Sequence, residues 1–322
     1  MRKEEDFFES WASQSTSPKV SVVCITYNHV KYIEQAIRGF LMQETSFPFE
    51  IIIYDDASTD GTSEIVQHYA GNYPNLITAF IQKENQLSKG VKWAHLIQSF
   101  IKGEYIATCE GDDYWFHPKK LQVQAEWLDN NRDYAICFHN YLWVSSDGEV
   151  LKSPIKESGD QDFSREDLVT LRGRPSTTRR PLVTMRRNVS LDAPEKQKVV
   201  NGDWFTYSMM GLHGKGRYIS GLCGAAFRSH AGGTWTNRPE TQKQAERIRT
   251  YLMLAAFHER AGEKYACLHF HEKAARQSLK ALQKFHSLGV DKLYFRLKLE
   301  QLKRMILPAL LLLKNSYLRV RG

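Results

Sequence analysis

The sequence predicts an α/β protein whose mostly parallel sheet is flanked by helices and followed by a helical extension. In the first half of the chain, short apolar runs of strand length alternate with segments whose apolar residues recur at helical spacing. Strands that alternate with helices form parallel sheets covered on both faces. From Pro239 onward only helical spacing remains, which predicts the C-terminal helical region.

The period of each segment identifies the elements of the first half. The predicted strands are Val20 to Ile25, Glu50 to Tyr54, Leu76 to Gln82, Tyr105 to Cys109 and Tyr134 to Phe138. Four helices lie between them: one that includes Val30, one capped by Ser58 or Thr59, one from Val91 to Ile101, and one that opens at Pro118. Proline favours the first turn of a helix, because its missing N–H is not needed there.

Beyond the fifth strand the pattern is weaker. Leu142 to Leu151 contains Asp147-Gly148 and predicts a hairpin, and 152–180 is a polar, basic stretch that predicts a loop. The remaining elements are a strand at Leu182 to Arg186, a helix around Trp204 to Leu212, and short strands near Tyr218 and at Ala225 to Arg228.

Charge and cysteine content narrow the functional classes. The 322-residue chain has a formal net charge of +8, which favours an anionic partner: nucleic acid, a phosphate-bearing small molecule or an acidic lipid surface. Its five cysteines stand singly, which predicts reduced thiols in a cytosolic compartment. The N-terminus is too charged for a secretory signal, and no apolar run approaches the roughly 20 residues that span a bilayer.

The loops after the predicted strands carry the chemistry, because ligands of open parallel sheets bind outside the carboxyl ends of the strands. These loops are Thr26-Tyr27-Asn28, Asp55-Asp56-Ala57-Ser58 and Glu110-Gly111-Asp112-Asp113. Neither a dinucleotide fingerprint nor a phosphate loop is present in the sequence. Two carboxylates about 5 Å apart repel by about 3 kcal/mol at a dielectric constant of about 20. The acidic turn therefore predicts a bound hard cation, Mg²⁺ or Mn²⁺.

Four motifs in order resemble those of glycosyltransferase family 2 over roughly Pro18 to Trp235. They are Thr26-Tyr27-Asn28, Asp55-Asp56-Ala57-Ser58, Glu110-Gly-Asp-Asp-Tyr-Trp115 and Arg228-Ser-His-Ala-Gly-Gly-Thr-Trp235. The resemblance implies a Rossmann-like GT-A fold and inverting transfer of a sugar from a nucleotide diphosphate donor, with UDP as the expected carrier. It implies a catalytic domain at 18–236 with nucleotide and acceptor halves at 18–115 and 116–236. The residues outside this domain would form an N-terminal extension at 1–17 and a helical region at 237–322, which would associate with a membrane or another subunit.

The resemblance also assigns roles to individual residues. The donor nucleotide would contact Thr26, Tyr27, Asn28, Asp55, Asp56, Ser58, Glu110 and Gly111. Asp112 and His230 would bind the metal; because Glu110-Gly-Asp112 replaces the usual Asp-x-Asp, Glu110 is left to contact either ribose or metal. Asp203, at the head of a predicted helix, would be the general base that accepts the proton of the acceptor hydroxyl.

Further residues are assigned to the acceptor and the diphosphate. The acceptor or sugar set is Asp113, Trp115, His139, Trp204 and Trp235, and the diphosphate set is Arg179, Arg180 and Arg228. Several of the assigned residues have structural alternatives. Asp55, Asp56 and Asp113 would cap helices, Trp115 and Trp235 would pack, His139 would close its strand, and the basic segment that contains Arg179 and Arg180 would form a solvated face. For His230 the alternative is a structural hydrogen bond.

The cellular setting follows from the family and from the chain's tail. Lys292 to Arg319 mixes apolar residues with Lys and Arg, so it would lie on an anionic membrane or pack on the catalytic domain or another subunit. We expect a cytoplasmic enzyme, soluble or peripheral on the inner face of the membrane, that extends a surface polysaccharide such as lipopolysaccharide or capsule, or its lipid-linked precursor. The alternatives are a silent family member that binds nucleotide sugar or glycan and a basic nucleic-acid-binding protein, for which no nucleic-acid module is recognisable.

Overall fold

The computed structural model of the protein describes residues 2–12, 17–152, 159–172, 180–190, 193–232 and 238–287. They form two compact units. The first comprises Met1–Leu191 and Met209–His230, and the second comprises Asp192–Ser208 and Ala231–Gly322. The predicted tail helix from Lys292, together with Arg179 and Trp235, lies outside the described residues.

One mixed sheet organises the first unit. Its strands are β1 (Val20–Thr26), β2 (Phe49–Asp55), β3 (Ile77–Ile81), β4 (Tyr105–Glu110), β5 (Tyr114–Trp115), β6 (Tyr134–Val144), β7 (Val150–Lys152), β8 (Gln161–Phe163), β9 (Thr184–Arg187) and β10 (Lys215–Arg228). They lie in the order β3-β2-β1-β4-β9-β6-β10-β5, with β7 paired to β6 and β8 to β10.

Helices surround this sheet, which confirms the predicted α/β class. The first unit holds α1 (Glu4–Trp11), α2 (Ile33–Leu41), α3 (Thr62–Asn72), α4 (Trp93–Ile97), α5 (Lys120–Asn130) and α6 (Arg165–Val169). Three more follow: α7 (Gly202–Met210), which begins in the second unit, α8 (Glu240–Arg260) and α9 (Lys264–Ser287).

The parallel half of the sheet matches the prediction because its strands are almost continuously apolar and buried. The β1 strand pairs in parallel with both β2 and β4, and its register places Thr26 opposite Asp55 and Ile25 opposite Glu110. The carboxyl ends of these three strands therefore meet at one edge. The polar loops that follow them lie side by side.

The second half of the sheet contains antiparallel strands that the pattern did not predict. The β9 strand lies between β4 and β6 and is antiparallel to both, whereas β6 and β10 are parallel to each other. The β6 strand extends to Val144, past the predicted end at Phe138. The predicted hairpin is present: β7 pairs antiparallel with β6, and Gly148 adopts a positive φ of 88° in the turn between them.

Two helix predictions need correction. The second helix begins at Thr62 rather than at Ser58 or Thr59, because Asp60 accepts hydrogen bonds from the Thr62 backbone N–H and hydroxyl. The Ser58 hydroxyl instead donates to Asp55. The helix predicted over 91–101 is the shorter α4, followed by a 3₁₀ turn over Gln98–Phe100.

The N-terminal segment 1–17 contains a helix that belongs to the first unit. Phe7 and Trp11 on α1 are buried, and both pack edge-on against Phe49 of β2 with ring centroids 5.9 and 5.1 Å apart. The Glu4 carboxylate accepts hydrogen bonds from the backbone N–H groups of Asn75 and Leu76. These contacts attach α1 to the parallel half of the sheet.

The second unit is helical and has its own apolar core. Phe205 of α7 packs against Phe257 of α8 with ring centroids 5.8 Å apart, and His258 of α8 stacks on Phe270 of α9 at 5.6 Å. The Ser208 hydroxyl lies 2.7 Å from the His258 Nε2 atom. Among the described helices of both units, none has the length and apolarity needed to cross a bilayer.

Candidate active site

The acidic turn after β4 is pressed against the end of β1. The Gly111 N–H donates to the Ile25 carbonyl at 2.8 Å, and a Cβ atom at Gly111 would lie only 2.6 Å from the Thr26 hydroxyl oxygen. Only glycine fits this close approach without displacing β1. The turn is therefore held at the sheet edge with Asp112 directly beyond it.

Three side chains from different parts of the first unit meet at this turn. The Asp112 Oδ2 atom lies 2.9 Å from His230 Nε2 and 3.7 Å from His29 Nε2. His230 follows β10, and His29 follows β1, where its Nδ1 atom lies 3.2 Å from the Thr26 hydroxyl. The other carboxylate oxygen, Asp112 Oδ1, is buried and has no hydrogen-bond partner among the residues that the structure describes.

The surroundings of the acidic turn favour an ionised Asp112 and a neutral His29. Burial by itself raises the pKa of Asp112, but the hydrogen bond from His230 and the nearby His29 outweigh it and hold this pKa below its usual value. Burial lowers the pKa of His29, against the opposing influence of Asp112. An ionised carboxylate beside a neutral imidazole is the form in which these groups act as metal ligands.

The residues present fit a divalent cation. Asp112, His29 and His230 each offer one ligand atom within 4.8 Å of the others, and Glu110, Asp112 and Asp113 form a second such group. One carboxylate with two imidazoles suits first-row ions such as Mn²⁺ better than Mg²⁺, which prefers oxygen ligands. His29 was not predicted; its position immediately after Thr26-Tyr27-Asn28, at a strand end, was the available signal.

Hydrogen bonds between the first two loops position His29. The Asn28 N–H donates to the Ser58 hydroxyl at 2.8 Å, and the Asn28 side-chain oxygen accepts from the Thr59 N–H at 2.9 Å. The His29 N–H donates to the Thr62 hydroxyl at 2.9 Å. Asn28 adopts a positive φ of 55°, which asparagine tolerates better than most residues. These hydrogen bonds join the two loops.

The paired aspartates after β2 hold neighbouring backbone. Asp55 is fully buried and accepts from both the N–H and the hydroxyl of Ser58. Asp56 accepts from the Tyr54 hydroxyl at 3.2 Å and from the N–H groups of residues 86 and 87 at 2.7 and 3.1 Å. Through these bonds the two aspartates hold loop segments and do not cap the helix that begins at Thr62, as their structural alternative proposed. Contact with the nucleoside stays a prediction.

Two other predicted donor residues are accessible at this edge. Tyr27 is 42% exposed, and Glu110 is exposed at the carboxyl end of β4. Exposed groups at the carboxyl edge of a parallel sheet are well placed to contact a ligand.

Burial removes Trp115 and His139 from contact with an acceptor, so these two predictions need correction. The Trp115 indole N–H donates to the Leu182 carbonyl at 2.9 Å, and its ring packs on Phe40 at 4.9 Å. His139 is fully buried within β6, with its Nδ1 atom 2.6 Å from the Asn140 carbonyl. The packing alternative describes Trp115, since a large apolar ring of this kind contributes most when it is buried.

Asp113 is also inaccessible. Only 3% of the residue is exposed, and its Oδ1 atom accepts from the Arg228 backbone N–H at 2.8 Å. Burial, then the charges of Asp112 and Glu110, raise the pKa of Asp113 well above its usual value. This hydrogen bond joins the acidic turn to β10. It neither caps a helix nor leaves the carboxylate accessible to an acceptor.

The described arginines of the diphosphate set contact the protein itself. The Arg180 guanidinium lies 3.3 Å from the centre of the Phe227 ring, and its Nε donates to the Tyr141 hydroxyl at 3.3 Å. Arg228 is 4% exposed, and its side-chain N–H groups donate to protein oxygens. Burial excludes Arg228 from the predicted contact with diphosphate.

The predicted base lies in the second unit. Asp203 is in the first turn of α7 and is partly buried, and the neighbouring Trp204 ring lies 5.5 Å from the Tyr251 ring on α8. The first turn of a helix stabilises an ionised carboxylate. The catalytic role of Asp203 and the acceptor role of Trp204 stay predictions.

Comparison with known proteins identifies the larger part of the first unit. Residues 21–179 match the family model of glycosyl transferase family 2. These residues belong to glycosyl transferase family 2. The predicted resemblance to this family is thereby confirmed, and three of the four motifs, those at 26–28, 55–58 and 110–115, lie within the matched residues.

Curated relatives extend the match. Over 216 residues the chain is 34% identical to the uncharacterized protein Rv1520 of Mycobacterium tuberculosis, covering 67% of this chain and 60% of the relative. It is 35% identical over 122 residues to the putative glycosyltransferase EpsE of Bacillus subtilis, covering 38% of this chain and 42% of EpsE. The chain thus spans 60% or less of the length of these relatives.

Solved structures show the same fold. The crystal structure of S. aureus TarS 1–349 in complex with UDP-GlcNAc superposes with a TM-score of 0.58 at 17% identity, covering 78% of this chain and 71% of that chain. The UDP complex of the same protein gives a TM-score of 0.56 at 18% identity, with 78% and 70% covered. The chain therefore shares the GT-A fold of these glycosyltransferase structures.

Proposed function

We propose that the protein is an inverting glycosyltransferase that moves a sugar from a nucleoside diphosphate donor to a hydroxyl group of a saccharide. The observation that carries this proposal is the Asp112 carboxylate: one of its oxygens is buried and has no hydrogen-bond partner in the described part of the chain, while the other contacts two histidines. A buried polar atom without a partner is costly, and a ligand that satisfies it removes that cost.

We propose that Asp112, His29 and His230 hold a divalent ion, Mn²⁺ in preference to Mg²⁺. Bound there, the ion would neutralise the negative charge that develops on the departing diphosphate. The chain's own contribution is to fix the ligands: the acidic turn is held by Gly111, and His29 by the joined loops after β1 and β2.

The donor would bind along the carboxyl edge of β1, β2 and β4. Tyr27 and Glu110 are exposed there, and Asn28 and Ser58 form the rim between them. We propose UDP as the carrier, since TarS, which shares the fold, has been crystallised with UDP and UDP-GlcNAc. Glu110 would accept from the ribose hydroxyl groups or complete the metal site.

The acceptor would react through Asp203. A carboxylate that removes the proton from an attacking hydroxyl typically accelerates the reaction by about 10²- to 10⁴-fold. We propose a glycan of the cell surface, or its lipid-linked precursor, as the acceptor. A relative that is 34% identical over 135 residues, TuaG of Bacillus subtilis, is named as a putative teichuronic acid biosynthesis glycosyltransferase, which supports this class. The enzyme would work in the cytoplasm or at the inner face of the membrane.

A turnover assay separates this function from a silent family member. The full chain is incubated with a panel of UDP-sugars, with and without Mn²⁺, and released UDP is measured. We expect Mn²⁺-dependent hydrolysis of one donor, lost in Asp112→Asn and retained in Asp133→Asn, a matched change at an exposed carboxylate paired with Lys215. Donor binding without hydrolysis or transfer would support the silent alternative instead.

The same preparation tests the nucleic-acid alternative. A protein that neutralises several phosphates binds oligonucleotides with an affinity that falls steeply as salt rises. We expect no such interaction, and tight, salt-dependent binding of oligonucleotides without donor turnover would favour the alternative.

A further inference from the structure

Arg228 joins the acidic turn to the histidine that contacts it. It is the last residue of β10, two positions before His230, and is 4% exposed. Its backbone N–H donates to the Asp113 carboxylate at 2.8 Å, and its side-chain Nε donates to the Asp112 carbonyl at 3.0 Å. One residue thus holds both aspartates of the turn.

The rest of its guanidinium reaches two other segments. Nη1 donates to the carbonyls of Ser145 and Ser146, in the turn between β6 and β7, at 3.3 and 2.8 Å. Nη2 donates to the side-chain oxygen of Gln35 on α2 at 2.5 Å. All three nitrogens of the guanidinium therefore donate to protein oxygens, in four hydrogen bonds, and an arginine side chain carries five N–H groups in total. Such a group has little capacity left for a phosphate.

Arg228 also supports His230 through an aromatic ring. Its guanidinium carbon lies 4.7 Å from the centre of the Tyr32 ring, and that ring lies 5.0 Å from the His230 ring. A guanidinium over an aromatic face is an attractive contact that also restricts both partners. Arg228 therefore contacts Asp112 directly and His230 through Tyr32.

We propose that Arg228 is a positioning residue that holds Asp112 and His230 at the separation needed by a divalent ion. This inference rests on the proposed function, because it concerns the same metal site, and it replaces the predicted diphosphate role of Arg228. A planar fork that bonds three segments at once cannot be reproduced by the single ammonium group of lysine. Lysine at this position would keep the charge and lose the geometry.

The test compares Arg228→Lys with Arg217→Lys in the full chain. Arg217 is a matched control, since it lies near the other end of β10 and its guanidinium bonds Asp160 and Asp162 instead. Calorimetry measures the affinity for Mn²⁺ alone, and hydrogen exchange without metal measures protection of peptides over 109–116 and 143–149. We expect Arg228→Lys to weaken Mn²⁺ binding by about 10- to 100-fold, as is typical when a residue supporting metal ligands is lost.

A milder change covers the case in which Arg228→Lys does not fold. Gln35→Ala removes one acceptor from Nη2 at an exposed position on α2. We expect a smaller loss of Mn²⁺ affinity, together with faster exchange over 109–116. In Arg217→Lys, both the Mn²⁺ affinity and the exchange of these peptides should equal those of the wild type.

Two results would overturn the inference. Equal Mn²⁺ affinity in folded Arg228→Lys and the wild type would show that Arg228 does not position the ligands. Unchanged Mn²⁺ binding with weaker binding of UDP in the absence of metal would instead restore the diphosphate role. A wild-type chain that binds no Mn²⁺ would refute the proposed function, and the metal-free exchange data would still decide whether Arg228 holds the acidic turn.

Discussion

Lys120 is an ionisable side chain in the interior of the first unit, and its burial leads to a quantitative prediction about stability. The residue is fully buried at the start of α5. Its Nζ donates to the Gln124 side chain at 2.8 Å and lies 4.0 Å from the centre of the Trp115 ring. Burial lowers the pKa of Lys120 from 10.5 to about 7. Removing the ammonium group should therefore change how stability depends on pH.

The direction in which stability changes with pH follows from the number of protons bound by the folded and the unfolded chain. Between pH 7 and 10.5 the unfolded chain holds a proton on Lys120 that the folded chain has released, so the free energy of unfolding rises with pH. The slope is about 1.4 kcal/mol per pH unit. In Lys120→Met this contribution is absent. The folded chain is half deprotonated at pH 7, so the full slope applies only above about pH 8, and the stability of the variant relative to the wild type should fall by about 2 kcal/mol between pH 7 and pH 9.

The assay is urea unfolding of both proteins at pH 7, 8 and 9, followed by tryptophan fluorescence. A constant offset is expected as well, because the variant leaves the Gln124 oxygen without its donor. The offset does not alter the slope. Lys119→Met is the matched control, since Lys119 is the adjacent, exposed residue. The difference in unfolding free energy between this variant and the wild type should not change with pH. If the difference in unfolding free energy between Lys120→Met and the wild type did not change from pH 7 to 9, the lowered pKa of Lys120 would be refuted.

Three further outcomes are expected. Asp203→Asn should abolish transfer while donor affinity measured by calorimetry stays unchanged, and near-normal turnover would contradict its assignment as the base. Gly111→Ala should cost about 2 kcal/mol in urea unfolding and weaken Mn²⁺ binding, because its Cβ would meet the Thr26 hydroxyl at 2.6 Å, whereas Gly71→Ala, with open space around it, should not destabilise. Burial lowers the pKa of His258 to about 4, so stability present above pH 6.5 should be lost as the pH falls, by about 3 kcal/mol at pH 4.5. His258→Leu should remove this loss in urea unfolding, and parallel pH profiles of the two proteins would argue against it.

The parallel half of the fold could be predicted because its signals are local. Apolar runs define β1, β2 and β4, and the rule that parallel strands share a carboxyl edge brings their polar loops together. From this rule the sequence alone predicts the acidic turn at that edge, and the family resemblance adds Asp112 as a metal ligand. The start of α3 was predicted too early, at Ser58 or Thr59, because Asp60 also accepts a hydrogen bond from the backbone at the start of the helix. The sequence alone does not show which of several neighbouring acceptors marks the start of a helix.

The antiparallel half depends on contacts between distant residues. Nothing in the four residues of β9 indicates that they insert between β4 and β6, because strand pairing is decided by packing against neighbours. The same limit applies to Trp115 and Asp113, which stand within a motif of the site yet point into the protein. Spacing identifies a motif but does not show which of its side chains are buried.

His29 and Arg228 illustrate a related limit. A single histidine after a strand is common, and its meeting with His230, 201 positions later in the chain, becomes visible only when the sheet is assembled. Arg228 was assigned to the diphosphate from its charge, whereas its hydrogen bonds to Asp112 and Ser146 reveal that it holds protein backbone.

The central claim is that Asp112, His29 and His230 form a metal site at the carboxyl edge of the sheet. The most direct measurement is a crystal structure of the chain with Mn²⁺ and UDP, in which an anomalous difference map locates the ion. The account predicts a peak about 2 Å from an Asp112 oxygen and from the Nε2 atoms of His29 and His230. A map with no peak there, or with its only peak at other residues, would contradict it.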